Sequence, residues 1–373
     1  MRTRTRVLHV IQNLNYGGME RLLADIVRLA DRERVDSHVL ALQYLGRFAD
    51  GLSDFATLHV SRPLPRWSML WPASLVRQIV EIAPDVVHTH SGVWYKASLA
   101  ARRAGVPRLI HTEHGRRRVP EPRHDRLLVR LAARRTDVVV AVSDALAQQL
   151  AMTGVSGRCQ LRVVHNGVDA ELFRPRPDTG ALRRELGLSA AVPIIGSIGR
   201  LEHIKGYDVA IEAFAKLRAT YTADPAPVMV LAGEGSERRP LEDLARKVGC
   251  SGFIHFLGWR DDTHDLHSAF ALFTLSSRSE GTSVSLLEAM SAGLCPVVTD
   301  VGGNSTVLGH RLRHRLVEAE SPAALATAWL DALTVDGRRE ADRAAARARV
   351  NESFRIDTMV REYERLYHEV LPA

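Results

Sequence analysis

Short apolar runs alternate with longer amphipathic stretches from one end of the chain to the other. VLHVIQNL, VLALQYL, DVVHTH, RLIHTEH, DVVVAVS and LRVVHNGV are brief, apolar and rich in β-branched residues, as strands buried on both faces are. Between them MERLLADIVRLAD, PASLVRQIVEIAP and DALAQQLAMTG repeat apolar positions every three or four residues, the pattern of amphipathic helices. This βαβ rhythm predicts a parallel sheet with helices on both faces. It breaks at residues 170–192, which are rich in Pro and Arg, and a linker is expected there. It resumes with PIIGSIGR, VMVLAGEG, FIHFLGW, AFALFTLSS and CPVVTD as strands, and DVAIEAFAKLRATY, RRPLEDLARKVG and SVSLLEAMSAG as helices. FRIDTMVREYERLYHEVL reads as one amphipathic helix. The expected fold is α/β: two doubly wound, Rossmann-like domains, residues 1–175 and 190–350, followed by a C-terminal helix at 351–373. Ligands bind at the carboxyl ends of strands in such sheets, so two facing domains would leave a central cleft lined by both sets of loops.

At 373 residues and 46% hydrophobic, each half can bury a core. No apolar run approaches the roughly 18 residues of a membrane span. The start, MRTRTRVLHVIQNL, is basic and then apolar but lacks a small-residue cleavage site, so it is read as a first strand and not a signal peptide. Cys159, Cys250 and Cys295 are scattered, which fits a reducing cytoplasm and argues against a disulfide framework or a metal cluster. The net charge of +7 is uneven: residues 1–180 hold 27 Lys+Arg against 17 Asp+Glu, and residues 181–373 hold 23 against 26. A basic first half calls for an anionic partner, either membrane lipid or a phosphorylated substrate. Nucleic acid is not expected, because aromatics are only 6% and no DNA- or RNA-binding motif is present.

The loops after strands carry the candidate chemistry. Gly17 and Gly18 follow strand one and open a helix, where bare backbone N–H groups can face an anion. They do not form G-x-G-x-x-G, which disfavours a dinucleotide-dependent dehydrogenase. Arg200 and Lys205 lie on the glycine-bounded loop GRLEHIKG, and two cations at a strand end suit a diphosphate. Lysine is scarce here, four residues against 46 arginines. Gly233 and Gly235 in AGEG permit close backbone approach. His111 and His114 in HTEHG can act as general bases or as hydrogen-bond partners of a sugar, and no third ligand stands at metal spacing. Asn166 and Gly167 in HNGVD form a turn signal before the linker.

The stretch SRSEGTSVSLLEAMSAG holds two carboxylates, Glu280 and Glu288, separated by seven uncharged residues. Glu280 belongs to the loop at a strand end. Glu288 lies inside the next helix, capped by Thr282 or Ser283 and ended by Gly293. The amides of Gly281, Thr282 and Ser283 stand at the start of that helix, free to bind an anion. Helix-dipole stabilisation explains one of these charges but not both in an uncharged setting.

Taken in order, the G-G loop, H-N-G-V-D, G-R-L-x-x-x-K-G, G-E-G and E-x7-E resemble the family-4 glycosyltransferases over residues 7 to about 300. These are retaining, nucleotide-sugar-dependent enzymes of GT-B architecture. The resemblance implies that Glu288 holds the ribose hydroxyls and that Glu280 contacts the donor sugar near its reacting carbon. Arg200 and Lys205 would hold the diphosphate, with the amides of Gly281, Thr282 and Ser283 assisting. Gly17 and Gly18 would leave room for phosphate and sugar, and His114 would stand beside the donor sugar. Asn166 of H-N-G-V-D and the glycines Gly233 and Gly235 would belong to the donor site, with base recognition near Leu257 and Gly258. The C-terminal helix would cross back to the first domain.

The resemblance further implies hexosyl transfer with retention and without a divalent metal or other cofactor, the nucleotide-diphosphate sugar being a co-substrate. The sequence contains no Asp-x-Asp to argue for a metal. The acceptor would be a hydroxyl of a lipid-linked or polysaccharide glycan, bound by the basic first domain. Arg102, Arg103, Arg116, Arg117, Arg118, Arg134 and Arg135 are then candidates to meet anionic lipid, placing the protein in the cytoplasm and peripherally on the inner face of the cell membrane. Two other readings share this architecture: a nucleotide-sugar 2-epimerase, and a nucleotide-sugar-binding protein without catalysis.

Overall fold

Strands form where apolar residues run without interruption, because a strand of a parallel sheet is covered on both faces. In the first unit these are β1 (Thr5–Asn13), β2 (Val35–Tyr44), β3 (Thr57–Val60), β4 (Val86–His90), β5 (Arg108–Glu113), β6 (Val138–Ala141) and β7 (Gln160–Val163). They make one parallel sheet in the order β3-β2-β1-β4-β5-β6-β7. In the second unit β8 (Ile194–Ile198), β9 (Val228–Ala232), β10 (Ile254–Gly258), β11 (Leu272–Leu275), β12 (Cys295–Thr299) and β13 (Leu316–Val317) make a second, ordered β10-β9-β8-β11-β12-β13. The computed structural model describes residues 4–369 apart from 16, 65, 116–122, 156, 158 and 336. The chain divides at Asn166/Gly167, and the helix Ile356–His368 returns to the first unit.

Both sheets are doubly wound, as the βαβ rhythm predicts. Strand order reverses between β1 and β4 in one sheet and between β8 and β11 in the other, the position at which ligands bind in such folds. The pattern missed the edge strands β3 and β13. Both are too short to leave an apolar run, as edge strands commonly are. LRVVHNGV, read as a strand through Val168, is a strand only to Val163. β7 is an edge strand with three of its four residues exposed. The stretch 170–192, read as a linker, packs within the second unit. Phe173 and Leu182 are buried in its core, and Arg347 donates to the carbonyls of Ala170 and Phe173.

Several interior polar groups are paired. Trp329 is fully buried and donates from Nε1 to Thr274 Oγ1 at 3.0 Å, while Thr274 donates on to the Val297 carbonyl. The helix Ile356–His368 buries Tyr363 and Tyr367 against the first sheet, with Tyr367 Oη 2.9 Å from His88 Nδ1. Cys159, Cys250 and Cys295 are free thiols. Among the described residues, no helix is long and apolar enough to cross a membrane.

Arg315 is buried and pairs with Asp342 at 2.6 Å and Asp331 at 2.7 Å, joining β13 to the helices Pro322–Thr334 and Arg338–Ser353. Removing one partner of a buried pair leaves an uncompensated charge. Asp342→Ala is therefore expected to lower unfolding free energy in urea by about 3–5 kcal/mol. Asp331→Ala, at the more exposed partner, should cost about 1 kcal/mol or less.

Candidate active site

The candidate residues of the second unit stand on loops leaving β8, β9, β11 and β12. Lys205 ends a tight turn, His203–Lys205, on the connection after β8. Its Nζ lies 2.5 Å from Glu280 Oε1, and Ser277 Oγ donates to the same oxygen at 2.7 Å. Both side chains are mostly buried, 14% and 9% exposed. The seven residues after Glu280 are uncharged, and the fold supplies its counter-charge from 75 residues away. Glu280 Oε2 takes no partner among the described residues. Tyr207, behind this pair, has its hydroxyl pushed up to about 12, chiefly by burial and further by the Glu280 charge.

Three glycines, Gly302, Gly233 and Gly235, fix where these groups sit. Gly302 follows β12 at φ 55°, and a Cβ there would lie 1.8 Å from the Glu280 carbonyl oxygen. Gly303 N then donates to the Gly281 carbonyl at 2.9 Å. Gly233, at φ 143°, lets β9's loop touch β8's: a Cβ would lie 2.0 Å from the Gly199 carbonyl oxygen. At Gly235 the same neighbour is the Leu201 carbonyl, 2.2 Å from a built Cβ. The space beside these two candidates is thus filled by protein backbone. Their effect is to hold the segment carrying Arg200.

Arg200 itself is half-buried, and its guanidinium has no hydrogen bond or ion pair among the described residues. Arg278 is the opposite case. It pairs with Asp208 through two nitrogens at 2.8 and 2.7 Å, pairs with Glu320, and donates to the His203 carbonyl at 2.6 Å. Hydrogen bonds to Asp208 and then Glu320 hold its pKa above that of an ordinary guanidinium. It ties the Lys205 turn to the Glu280 loop. Glu288 is buried in the helix Val284–Ser291, at 7% exposure. Gly281, Thr282 and Ser283 are buried at its start; Ser283 is the N-cap residue, but its hydroxyl faces Ser285 Oγ at 3.2 Å and makes no cap bond.

In the first unit, Gly18 opens the helix Gly18–Leu29, and the Glu20 carboxylate folds back beside Gly17, 2.3 Å from where a Cβ would stand. His114 follows β5. Its Nε2 lies 3.2 Å from His90 Nδ1, and its Nδ1 is buried with no partner among the described residues. Burial pushes its pKa down to about 4, so the ring is neutral near pH 7. Asn166 is buried at the end of this unit. Of the arginines expected to meet lipid, Arg102 is spent inside the fold, on Asp137 and on the carbonyls of Arg135, Val106 and Pro107. Arg103 is exposed, and Arg116, Arg117 and Arg118 lie outside the described residues.

Sequence reasoning missed Arg278, Asp208 and Gly302. V-G-G-N after a strand repeats the signal that singled out Gly17 and Gly18, so Gly302 was findable. Arg278 and Asp208 look in sequence like solvated loop charges. Also missed were His9, His88 and His90, which gather at the β1/β4 boundary although His9 and His90 are 81 residues apart.

Comparison with known proteins bears on this arrangement. The sequence model of the group 1 glycosyl transferases matches residues 178–349, and that of Glycosyltransferase Family 4 matches residues 16–172. The D-inositol 3-phosphate glycosyltransferase of Xylanimonas cellulosilytica is 31% identical over 71% of this chain and 67% of its own. That of Corynebacterium urealyticum is 29% identical over 67% of this chain; the match spans 62% of that enzyme, less than two thirds of its length. The crystal structure of Anabaena HepE with UDP and glucose superposes with a TM-score of 0.82 at 22% identity, covering 97% of this chain and 99% of that one. That likeness establishes the fold, GT-B.

Lys205→Met would leave Glu280 buried and unpaired, and is expected to cost about 3 kcal/mol in urea unfolding. Lys205→Met/Glu280→Gln should recover most of that loss; an additive double variant would show that the pair does not interact.

Proposed function

The chain belongs to the family-4 glycosyltransferases, and from that premise we propose that it moves a sugar from a nucleoside-diphosphate donor to an acceptor hydroxyl with retention of configuration. The observation that carries this reading is Arg200: a half-buried guanidinium without a counter-ion among the described residues, on the same β8 connection as Lys205. A fixed cation with an unfilled shell is what a leaving diphosphate requires, since the charge that develops on bond breaking resides on the β-phosphate. In this reading Arg200 and Lys205 hold the diphosphate, and the amides of Gly281, Thr282 and Ser283 assist. Glu288 accepts from the ribose hydroxyls. Glu280 Oε2 takes a hydroxyl of the donor sugar while Oε1 stays on Lys205. His114 meets the donor sugar as a neutral imidazole. The leaving phosphate assists same-face entry of the acceptor, and Glu280 is not assigned as a covalent nucleophile. Positive charge comes from side chains, so no divalent metal or other cofactor is required. The uridine nucleotide bound to HepE makes UDP the first candidate for the donor's carrier.

For the acceptor we propose a hydroxyl of a lipid-linked or polysaccharide glycan, met at an anionic membrane surface by a cytoplasmic, peripherally bound enzyme. Beyond the basic balance of the first half, Met69, Leu70 and Trp71 support this, at 36%, 74% and 53% exposure. Arg103 stands 4.2 Å over the Trp71 ring. An apolar tip beside an arginine fits the headgroup boundary of an anionic bilayer. In co-sedimentation at low salt, the protein should bind anionic vesicles and not neutral ones, and Leu70→Ser/Trp71→Ser should release it. Indifference of the native chain to anionic vesicles would remove the membrane partner.

A thermal-shift panel in EDTA with UDP, GDP, ADP and NAD tests the donor site. One nucleoside diphosphate should stabilise the native chain, by about 2.7 kcal/mol at 100 times its dissociation constant. Glu288→Ala should lose that shift. Silence of every diphosphate would sink the donor reading. With turnover established, the anomeric configuration of the product by NMR decides retention, and conversion of donor without any acceptor would favour the 2-epimerase.

A further inference from the structure

Five histidines gather in the first unit: His9 on β1, His88 and His90 on β4, His111 on β5 and His114 just beyond it. The first four are at most 1% exposed. Two have commitments of their own. His111 lies flat against Trp94, ring centroids 3.9 Å apart, with Nδ1 2.9 Å from Thr89 Oγ1. His88 is engaged at both nitrogens, with Tyr367 Oη at 2.9 Å and Thr112 Oγ1 at 2.7 Å. The other three form a chain. His9 Nδ1 lies 3.3 Å from His90 Nε2, and His90 Nδ1 lies 3.2 Å from His114 Nε2.

His9, His88 and His90 also satisfy the spacing of a metal site, with one nitrogen of each within 4.8 Å of the others. A dication there would have to part His9 from His90 and take His88 from Tyr367 or Thr112. It would also be buried among three neutral ligands, with no carboxylate among them. The hydrogen-bonded chain keeps every one of those contacts.

A neutral imidazole has one N–H and one bare nitrogen. Three such rings in series therefore have two self-consistent proton arrangements, and the rings switch between them together. In one, His114 Nδ1 carries a proton; in the other it is a bare lone pair. That atom is buried and without a partner among the described residues. An orphaned buried N–H is the rarer state in proteins. We infer that His9 and His90 are positioning residues that hold the His114 proton on Nε2, so that Nδ1 offers a lone pair to a substrate hydroxyl. Burial keeps the chain neutral, as this logic needs: it pushes His9 down to about 3 and His114 to about 4. His90 lies well below its ordinary value, through burial first and then its histidine neighbours. The identity of that hydroxyl as one on the donor sugar rests on the function proposed above; the tautomer does not.

The test is long-range 1H–15N spectroscopy of the full chain labelled at histidine, with the His114 signals identified by their loss in His114→Gln. The native chain should show a protonated Nε2 and a bare Nδ1 at His114. His90→Phe should leave that ring exchanging between tautomers and lower kcat/KM for donor about tenfold, the worth of one hydrogen bond. His90→Asn, whose Oδ1 replaces the accepting nitrogen, should restore both. His9→Phe serves if His90→Phe does not fold. A protonated Nδ1 in the native chain, a His114 spectrum unmoved by these variants, or stoichiometric zinc that shifts His9, His88 and His90 together would each overturn the inference. The expected tautomers without any sugar-nucleotide turnover would leave the relay standing and remove the donor sugar as its target.

Discussion

A buried carboxylate calls for a counter-charge close by, and for Glu280, 9% exposed, that counter-charge is Lys205. The contact joins the connection after β8 to the loop after β11, the two strands between which the order of the second sheet reverses. Several other features of that sheet's carboxyl edge follow from keeping it in register. Gly302 brings β12's loop under the Glu280 carbonyl, where any side chain would collide. Gly233 does the same for β9's loop under Gly199. Arg278 bonds the His203 carbonyl and Asp208, and its own amide donates to the Ile204 carbonyl at 2.8 Å. Four strand ends are thereby fastened to one another by backbone contacts. A site on that edge is preorganised without depending on a ligand to order it.

Three cations occupy these loops, and their partners differ in a way that bears on their use. Arg278 is saturated by two carboxylates and a carbonyl, which makes it structural. Lys205 is shared: its carboxylate partner keeps Oε2 available. Arg200 has no anion among the described residues. Guanidinium groups are seldom left half-buried and unmatched unless the matching anion arrives from outside. The proposed diphosphate supplies it. In the proposed reading the Lys205–Glu280 pair need not break: phosphate oxygens would use the remaining donors of Nζ, and the sugar the remaining oxygen of Glu280.

The two sheets were legible because parallel strands announce themselves as unbroken apolar runs. β3 and β13 were not, because an edge strand of two to four residues leaves no run to detect. Glu280 and Glu288 were legible because seven uncharged residues separate them, and Arg200 and Lys205 because two cations share one glycine-bounded loop at a strand end. Their partnerships were invisible, since Lys205 and Glu280 meet across 75 residues of sequence. Gly233 and Gly235 show the opposite limit. Glycine after a strand signals that backbone comes close, but the sequence does not say whose backbone; here it is the protein's own. His9 and His90 read as stray polar residues in apolar strands, and only the parallel pairing of β1 with β4 converts them into neighbours.

One winding order thus carries two different kinds of site. On the second sheet the switch between β8 and β11 is bridged by full charges, because the ligand proposed there is a polyanion and must be met by cations held in place. On the first sheet the switch between β1 and β4 is bridged by imidazoles that burial keeps neutral. A neutral ring cannot neutralise a phosphate, but it can tell a hydroxyl that donates from one that accepts, provided its tautomer is fixed. In the relay inferred above, His90 meets the ring of His114 from within the sheet, and His9 meets His90. In that relay the burial of His9 and His90 serves more than core packing. Leucine would fill the same volume at less cost in desolvation, and it would leave the nitrogen of His114 free to choose.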